Sequence, residues 1–310
     1  MSATIEKKTD AGPLRMLLCS DGSEQADRAV RVGAAIAAGC QAAVTLLGIV
    51  ENPGNFNSIL ESLKRGQALL EDKKIHAELI TKAGEPLEEI IHRTEEAAYD
   101  LVVIGAVRKE TRGLFWMSSK SYKIIKEIKP PVLIVAGQVA TIKRVLICSG
   151  GKRYIDDAVR LTGQIAHGAQ AVVTLLHVMP EPPAIFAGLP RIEQTSAWLL
   201  ESPSELGRNL RHEKEMLESM GVTAEVRLRH GPVLEEILRE VQRGDYDLVV
   251  TGSALSRSLR TYMLGDISRE IVNRANRAVL VVRSRHKPLV PSWRLPSWFG
   301  GGQRSKPLAD

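Results

Sequence analysis

Short, nearly continuous apolar runs alternate along this chain with segments whose apolar positions recur three and four residues apart. Leu14–Cys19, Ala43–Val50, Leu101–Gly105 and Val132–Val135 are rich in Val, Ile and Leu, as expected of parallel strands buried on both faces. Between them Ala26, Ala29, Val30, Gly33 and Ala37 keep helical spacing, as do Leu87, Ile90, Ile91 and Thr94, and then Ile124, Ile125 and Ile128. Strand and helix in alternation predict right-handed crossovers, and so an open parallel sheet with helices on both faces.

The pattern occurs twice. LLCSDG (Leu17–Gly22) returns 129 positions later as LICSGG (Leu146–Gly151), and AVTLL (Ala43–Leu47) returns at the same offset as VVTLL (Val172–Leu176). YDLVVIG (Tyr99–Gly105) returns as YDLVVTG (Tyr246–Gly252), and PVLIV (Pro131–Val135) as AVLVV (Ala278–Val282), now 147 positions on. The second copy therefore carries an 18-residue insertion near 179–211, which opens on the Pro-rich MPEPPAIFAGLP. A repeat of this size predicts two sibling α/β domains, at 13–138 and 141–284, followed by a basic, Trp-containing tail at 285–310.

Net charge does not change that picture. The formal +6 is mostly in the tail, where Arg285, Lys287, Arg294, Arg304 and Lys306 face Asp310, so 1–283 carry only +2. A nearly neutral body argues against a nucleic-acid partner. Cys19, Cys40 and Cys148 show no metal-site spacing, and so few cysteines suit a reduced, cytoplasmic setting. The polar stretch from Met1 to Gly12 lacks an export signal, and no apolar run reaches the length of a transmembrane segment.

Ligands of doubly wound sheets sit beyond the carboxyl ends of the strands, where strand order reverses. Asp21-Gly22-Ser23-Glu24 follows the first strand. There Asp21 or Ser23 could simply cap the next helix, or the Asp21 carboxylate could meet a ribose hydroxyl or an adenine amine. An opening strand ending in DGS, then YDLVVIG, then PVLIV, each duplicated in order, resembles a tandem member of the universal stress protein family (UspA-like) over nearly all of both copies, from about Leu14 to Arg283.

That resemblance implies two Rossmann-like domains of the adenine nucleotide alpha hydrolase type, each a five-stranded parallel sheet with helices on both faces. It implies closing strands paired into an intramolecular pseudo-dimer, a stress-response role, and in some members ATP binding through a Gly-x2-Gly-x9-Gly-Ser/Thr loop. Carried across, Asp21 would meet the ribose or base, Ile49 would pack on the base, and Gly105, Ser118, Ser119 and Ser121 would serve the phosphates, with Arg108, which stands in place of the second glycine, supplying side-chain charge instead of a bare amide. Glycines let the backbone approach an anion, and the closing Gly-Ser opens a helix whose positive end faces it. Only the first glycine of the pattern survives in the first copy, where Arg108, Lys109 and Arg112 crowd the loop. Their local reading is solvated loop charge with a serine capping a helix. Ile49 and its counterpart Val178 read equally as core residues.

The second copy departs further. Its register gives Gly252, Leu255, Gly265 and Asp266, with Ser268 beyond, and Gly150 stands where the first copy has Asp21. Asp266 would place negative charge beside a phosphate, so a degenerate site is expected there. Gly150-Gly151-Lys152 could form an anion nest or be a flexible turn.

Nothing in the chain suggests dedicated catalysis. The seven histidines are scattered, and neither G-x-x-x-x-G-K-S/T nor GxSxG is present. The sequence thus points to a regulatory module with an adenine-nucleotide site in its first domain, ATP being the foremost ligand and Mg its companion. The rivals are a nucleotide-independent scaffold, which engages a protein partner through the insertion or the tail, and a slow ATPase. Homodimerisation is left open.

Overall fold

The computed structural model describes residues 12–106, 108–111, 114–117, 119–137, 139, 141–179, 196–253 and 266–283. The tail, Phe186 of the insertion, Arg112, Ser118, Leu255 and Gly265 lie outside them. The first half runs β1 (Arg15–Ser20), α1 (Glu24–Cys40), β2 (Ala43–Val50), α2 (Phe56–Asp72), β3 (Ala77–Ala83), α3 (Pro86–Glu96) and β4 (Leu101–Gly105). A hairpin of β5 (Arg108–Thr111) and β6 (Leu114–Met117) follows, then α4 (Ser119–Glu127) and β7 (Val132–Val135). The second half repeats the order: β8 (Arg144–Cys148), α5 (Asp156–Ala169), β9 (Val172–Met179), α6 (Ser196–Glu201), α7 (Glu205–Ser219), β10 (Ala224–His230), α8 (Val233–Arg243), β11 (Leu248–Ser253), α9 (Asp266–Arg274) and β12 (Ala278–Arg283). The added helix α6 belongs to the insertion.

Among the described residues, ten strands form one sheet in the order β10-β9-β8-β11-β12-β7-β4-β1-β2-β3. Each half is a five-stranded parallel sheet, and the two join by the antiparallel pairing of β7 with β12. Alternate strand residues feed the two faces, because side chains along a strand point to opposite sides. Met16 and Leu18 enter a core shared with α1, α2, α5, α6 and α7, whereas Leu17 and Cys19 enter one shared with α3, α4, α8 and α9.

The two halves meet about a pseudo-two-fold axis that pairs equivalent residues with each other. Leu133 lies opposite Leu280, its own counterpart. On the helical layer Gly39 of α1 crosses Gly168 of α5, again its counterpart, and a Cβ on Gly39 would stand 2.5 Å from the Gly168 carbonyl oxygen. Beside them the Cys40 thiol donates to the Gln164 carbonyl at 3.4 Å. Only glycines allow this helix crossing.

Across α3 and α8 the copies conserve a buried tyrosine but exchange the charges around it. In the first half Arg93 of α3 donates to the Tyr99 hydroxyl at 2.8 Å and to Glu78 of β3 at 3.1 Å. In the second, Glu240 of α8 is the acceptor, bonded by the Tyr246 hydroxyl at 2.9 Å and by Arg227 (2.5 Å) and Arg229 (2.6 Å) of β10. Burial pushes the Glu240 carboxyl up, but the bonds from Arg229, Arg227 and Tyr246 outweigh it and hold the group below its ordinary value of 4.5.

Two outcomes are expected in denaturant unfolding. Gly39→Val should cost about 2 kcal/mol through overpacking, whereas Gly54→Ala, with open space at its Cβ, should stay within about 0.5 kcal/mol of the parent. Equal stabilities would refute the tight crossing. Glu240→Ala should cost about 1.5 kcal/mol because it strands the buried Tyr246 hydroxyl, while Arg227 and Arg229 stay in contact with solvent. In the parent the stabilisation from Glu240 is present above about pH 4.5 and is lost as pH falls through the depressed folded value, so the acid limb of a stability-versus-pH curve should flatten in the variant.

Candidate functional site

Strand order reverses between β1 and β4 in the first half and between β8 and β11 in the second, so the loops beyond their carboxyl ends converge there. After β1 the chain turns through Gly22, whose φ of +77° a side chain would strain. The exposed Asp21 carboxylate accepts through Oδ1 from the Ser23 amide at 3.0 Å. Ser23 Oγ in turn caps α1 by accepting from the Ala26 amide at 3.2 Å. One oxygen of Asp21 therefore shapes the turn while Oδ2 has no partner among the described residues. The capping and binding readings of this loop are compatible.

Gly105 closes β4 against the opening turn of α1, where a Cβ would meet the Gln25 carbonyl oxygen at 2.5 Å. Its bare backbone thus lets β4 end beneath the Asp21 loop. Arg108 lies in β5, paired with Met117 of β6, so part of the stretch expected as a phosphate loop is an antiparallel hairpin. Ser119 is the first residue of α4 and Ser121 lies in its first turn, which sets both at a helix N-terminus. Ile49 is 2% exposed and packs in the core with Leu17, Cys19 and Ile104, and Val178 is buried likewise.

Beneath the Asp21 loop, on the opposite face of the sheet, lies a polar chain that the sequence reading missed. The Gly22 amide donates to Ser20 Oγ at 3.1 Å, and Ser20 and Ser62 share a 2.7 Å bond. Ser62 spends its proton on Asp27 at 2.5 Å, so Ser20 is the donor to Ser62. Arg65 closes the chain on Asp27 at 2.7 Å.

The second half keeps the loop and changes its chemistry. Gly150 is exposed in the place of Asp21, and the Gly151 amide is committed to Ser149 Oγ at 3.0 Å. A Cβ on Gly151 would meet Leu206 of α7 at 2.2 Å. The amide that an anion nest would need is thereby turned inward. Gly252 ends the β11 core segment, and its carbonyl accepts from Ser268 Oγ at 3.0 Å. Ser268 is buried and also bonds Thr251 Oγ1 at 2.8 Å, so its hydroxyl pins α9 to β11. Asp266 opens α9.

Comparison with known proteins agrees with this duplicated geometry. The sequence model of the universal stress protein family matches residues 14–136 and again 141–283. The chain belongs to the universal stress protein family. A universal stress protein of Methanocaldococcus jannaschii is 27% identical over 146 residues, 47% of this chain and 84% of that protein. Another, from Bacillus subtilis, is 28% identical over 144 residues, 39% of this chain and 97% of that protein. A crystal structure of a universal stress protein from Archaeoglobus fulgidus shares the fold at a TM-score of 0.64 and 20% identity, covering 87% of this chain and 98% of that one.

Set in the universal stress protein frame, Asp21, Gly105, the start of α4 and Ile49, the penultimate residue of β2, all lie at the carboxyl end of the first half's sheet, Ile49 with its side chain buried. Of the insertion, α6 packs on α7 beside β10, at the far edge of the sheet from the β8–β11 switch point. Leu199 is buried and Trp198 exposed. No described helix is long and apolar enough to cross a membrane. Because Ser268 is an anchor, Ser268→Ala should cost about 1 kcal/mol in urea unfolding. Unchanged stability would release the hydroxyl for a ligand instead.

Proposed function

We propose that this universal stress protein is a cytoplasmic regulatory binding module that takes an adenine nucleotide, ATP foremost, in its first half. The observation that carries the reading is the exposed Asp21 carboxylate at the switch point, with Oδ2 unpartnered among the described residues and Gly150 in its place in the other copy. A carboxylate oxygen there suits a ribose hydroxyl or an adenine amine as donor. The α4 N-terminus with Ser119 and Ser121 suits the phosphates, and Arg108 supplies positive charge from the same stretch. Mg would accompany the nucleotide as its counterion. In the second half Asp266 stands at the start of α9 and the Ser268 hydroxyl is already spent, which favours a degenerate site.

The reading takes the protein as a binder and not as a catalyst. Burial pushes the Cys40 thiol up to about 11 and the Cys148 thiol to about 12, and raises Cys19 too, so these groups stay protonated at neutral pH and are poor nucleophiles. The scaffold reading, with α6 and exposed Trp198 as the contact surface, is the alternative that calorimetry separates.

Titration of the full chain with MgATP should show one site filled by about millimolar ligand, and Asp21→Ala should weaken it about tenfold, the loss of one charge-assisted hydrogen bond. Absence of heat at millimolar MgATP would remove the nucleotide reading in favour of the scaffold. An affinity unchanged by Asp21→Ala would move the site elsewhere.

A further inference from the structure

Between the second half's sheet and α7 lies a buried cluster of ionisable groups that nucleotide binding does not use. Glu213 of α7 is 0% exposed. Its Oε1 accepts from Ser149 Oγ at 3.0 Å, and its buried Oε2 has no hydrogen-bond partner. From β9, His177 bonds the Ser149 carbonyl through Nδ1 at 2.9 Å, and because a carbonyl only accepts, Nδ1 carries the proton. From α5, Asp156 adds a second carboxylate, with Oδ2 3.7 Å from His212 Nε2 and a buried, unpartnered Oδ1. Asn209 of α7 holds the Gly151 carbonyl at 2.9 Å. The layer-facing residues Ala224, Val226 and Leu228 of β10 bring no charge, its end residue His230 and Glu201 of α6 being exposed.

Comparison with the first half shows that the cluster is a substitution within a shared frame. Ser20 and Asp27 match Ser149 and Asp156, but Gly48, Ser62, Arg65 and Gly66 stand where the second half has His177, Asn209, His212 and Glu213. In the first half the space is closed: a Cβ on Gly66 would meet Leu46 at 2.9 Å, and one on Gly48 would meet Leu63 at 2.7 Å. Arg65 there neutralises the lone acid, Asp27. In the second half two glycines have become ionisable side chains and the arginine a histidine, so two acids share the layer without a fixed cation.

We propose that this cluster is a proton-operated latch, in which protonated Glu213 holds α7 on the loop Ser149–Lys152 and its ionisation loosens that end of the second half. Burial pushes the Glu213 carboxyl up to about 7, the Ser149 hydroxyl pulls it down in part, and Asp156 adds to the rise. Burial also lowers His177 against the opposing bond to Ser149, so the imidazole is neutral near pH 7 and offers no counter-charge. A raised carboxyl value means that the contribution to stability is complete below the unfolded value, about 4.5, and disappears as pH rises to about 7.

Hydrogen exchange of the full chain between pH 5 and 8, corrected for intrinsic rates, tests the latch. Peptides from 205–219 and 148–153 should open more readily by up to about tenfold per pH unit between 5 and 7, while peptides from 56–72 show no such rise. Glu213→Gln should abolish the rise. The same rise in Glu213→Gln, or its presence in 56–72, would overturn the proposal. Carbon-13 shifts of the glutamate carboxyls in the unmutated protein give a second reading without any variant: a Glu213 midpoint above 6 supports the latch, and one below 5 refutes it.

Discussion

The structure depends on two halves of one chain meeting through equivalent surfaces. Gly39 against Gly168 brings α1 and α5 together at backbone distance, and Leu133 against Leu280 continues the sheet across the same axis. Neither contact is replaceable by the other. The strand pairing hides two edges that would otherwise template association, and the glycine crossing lets the helical layer follow the sheet without a step. A side chain at either glycine would push α1 and α5 apart and strain the β7–β12 register beneath them.

This symmetric frame leaves the switch points of the two halves free to diverge, since both lie away from the axis. The first half keeps an acid above the sheet at Asp21 and a neutralised polar chain below it, ending on Arg65. The second half has lost the acid above and gained one below, at Glu213. Its loop after β8 is tied downward as the first half's is, the Gly151 amide bonding Ser149 as Gly22 bonds Ser20, and the Asn209 amide adds a further bond to the Gly151 carbonyl. The exchange of Arg93 for Glu240 across α3 and α8 has the same character, because the buried tyrosine beside each tolerates either sign when the facing strand supplies the opposite charge.

Much of this was legible in the sequence. Two exact-length blocks, YDLVVIG and YDLVVTG, with unbroken apolar runs and helical spacing between them, determine two siblings of the same layered class, since each run can bury itself only in a sheet covered on both faces. The strong Asp21 to Gly150 difference was likewise visible, as was the insertion, whose helix α6 falls inside the expected span. What spacing alone could not assign was the partner of each polar group. Gly105 also serves the close approach of β4 to α1, and Ser268 pins α9 to β11, roles that the loop pattern did not indicate. The signal for the latch was present in Glu213, which interrupts the apolar stripe of Leu210 and Leu217, but its meaning required knowing which strand lay opposite.

The sequence by itself determined the alternation of strands and helices, the duplication and the chemistry available to each copy, because periodicity and composition are local properties. The shared sheet was implied by the family resemblance and not by periodicity, and only the tertiary structure decided that Gly39 meets Gly168 and that Ser149, Asp156, His177 and Glu213 converge. Those outcomes rest on desolvation and close packing between residues far apart in the chain, and neither has a cost until the layers are brought together.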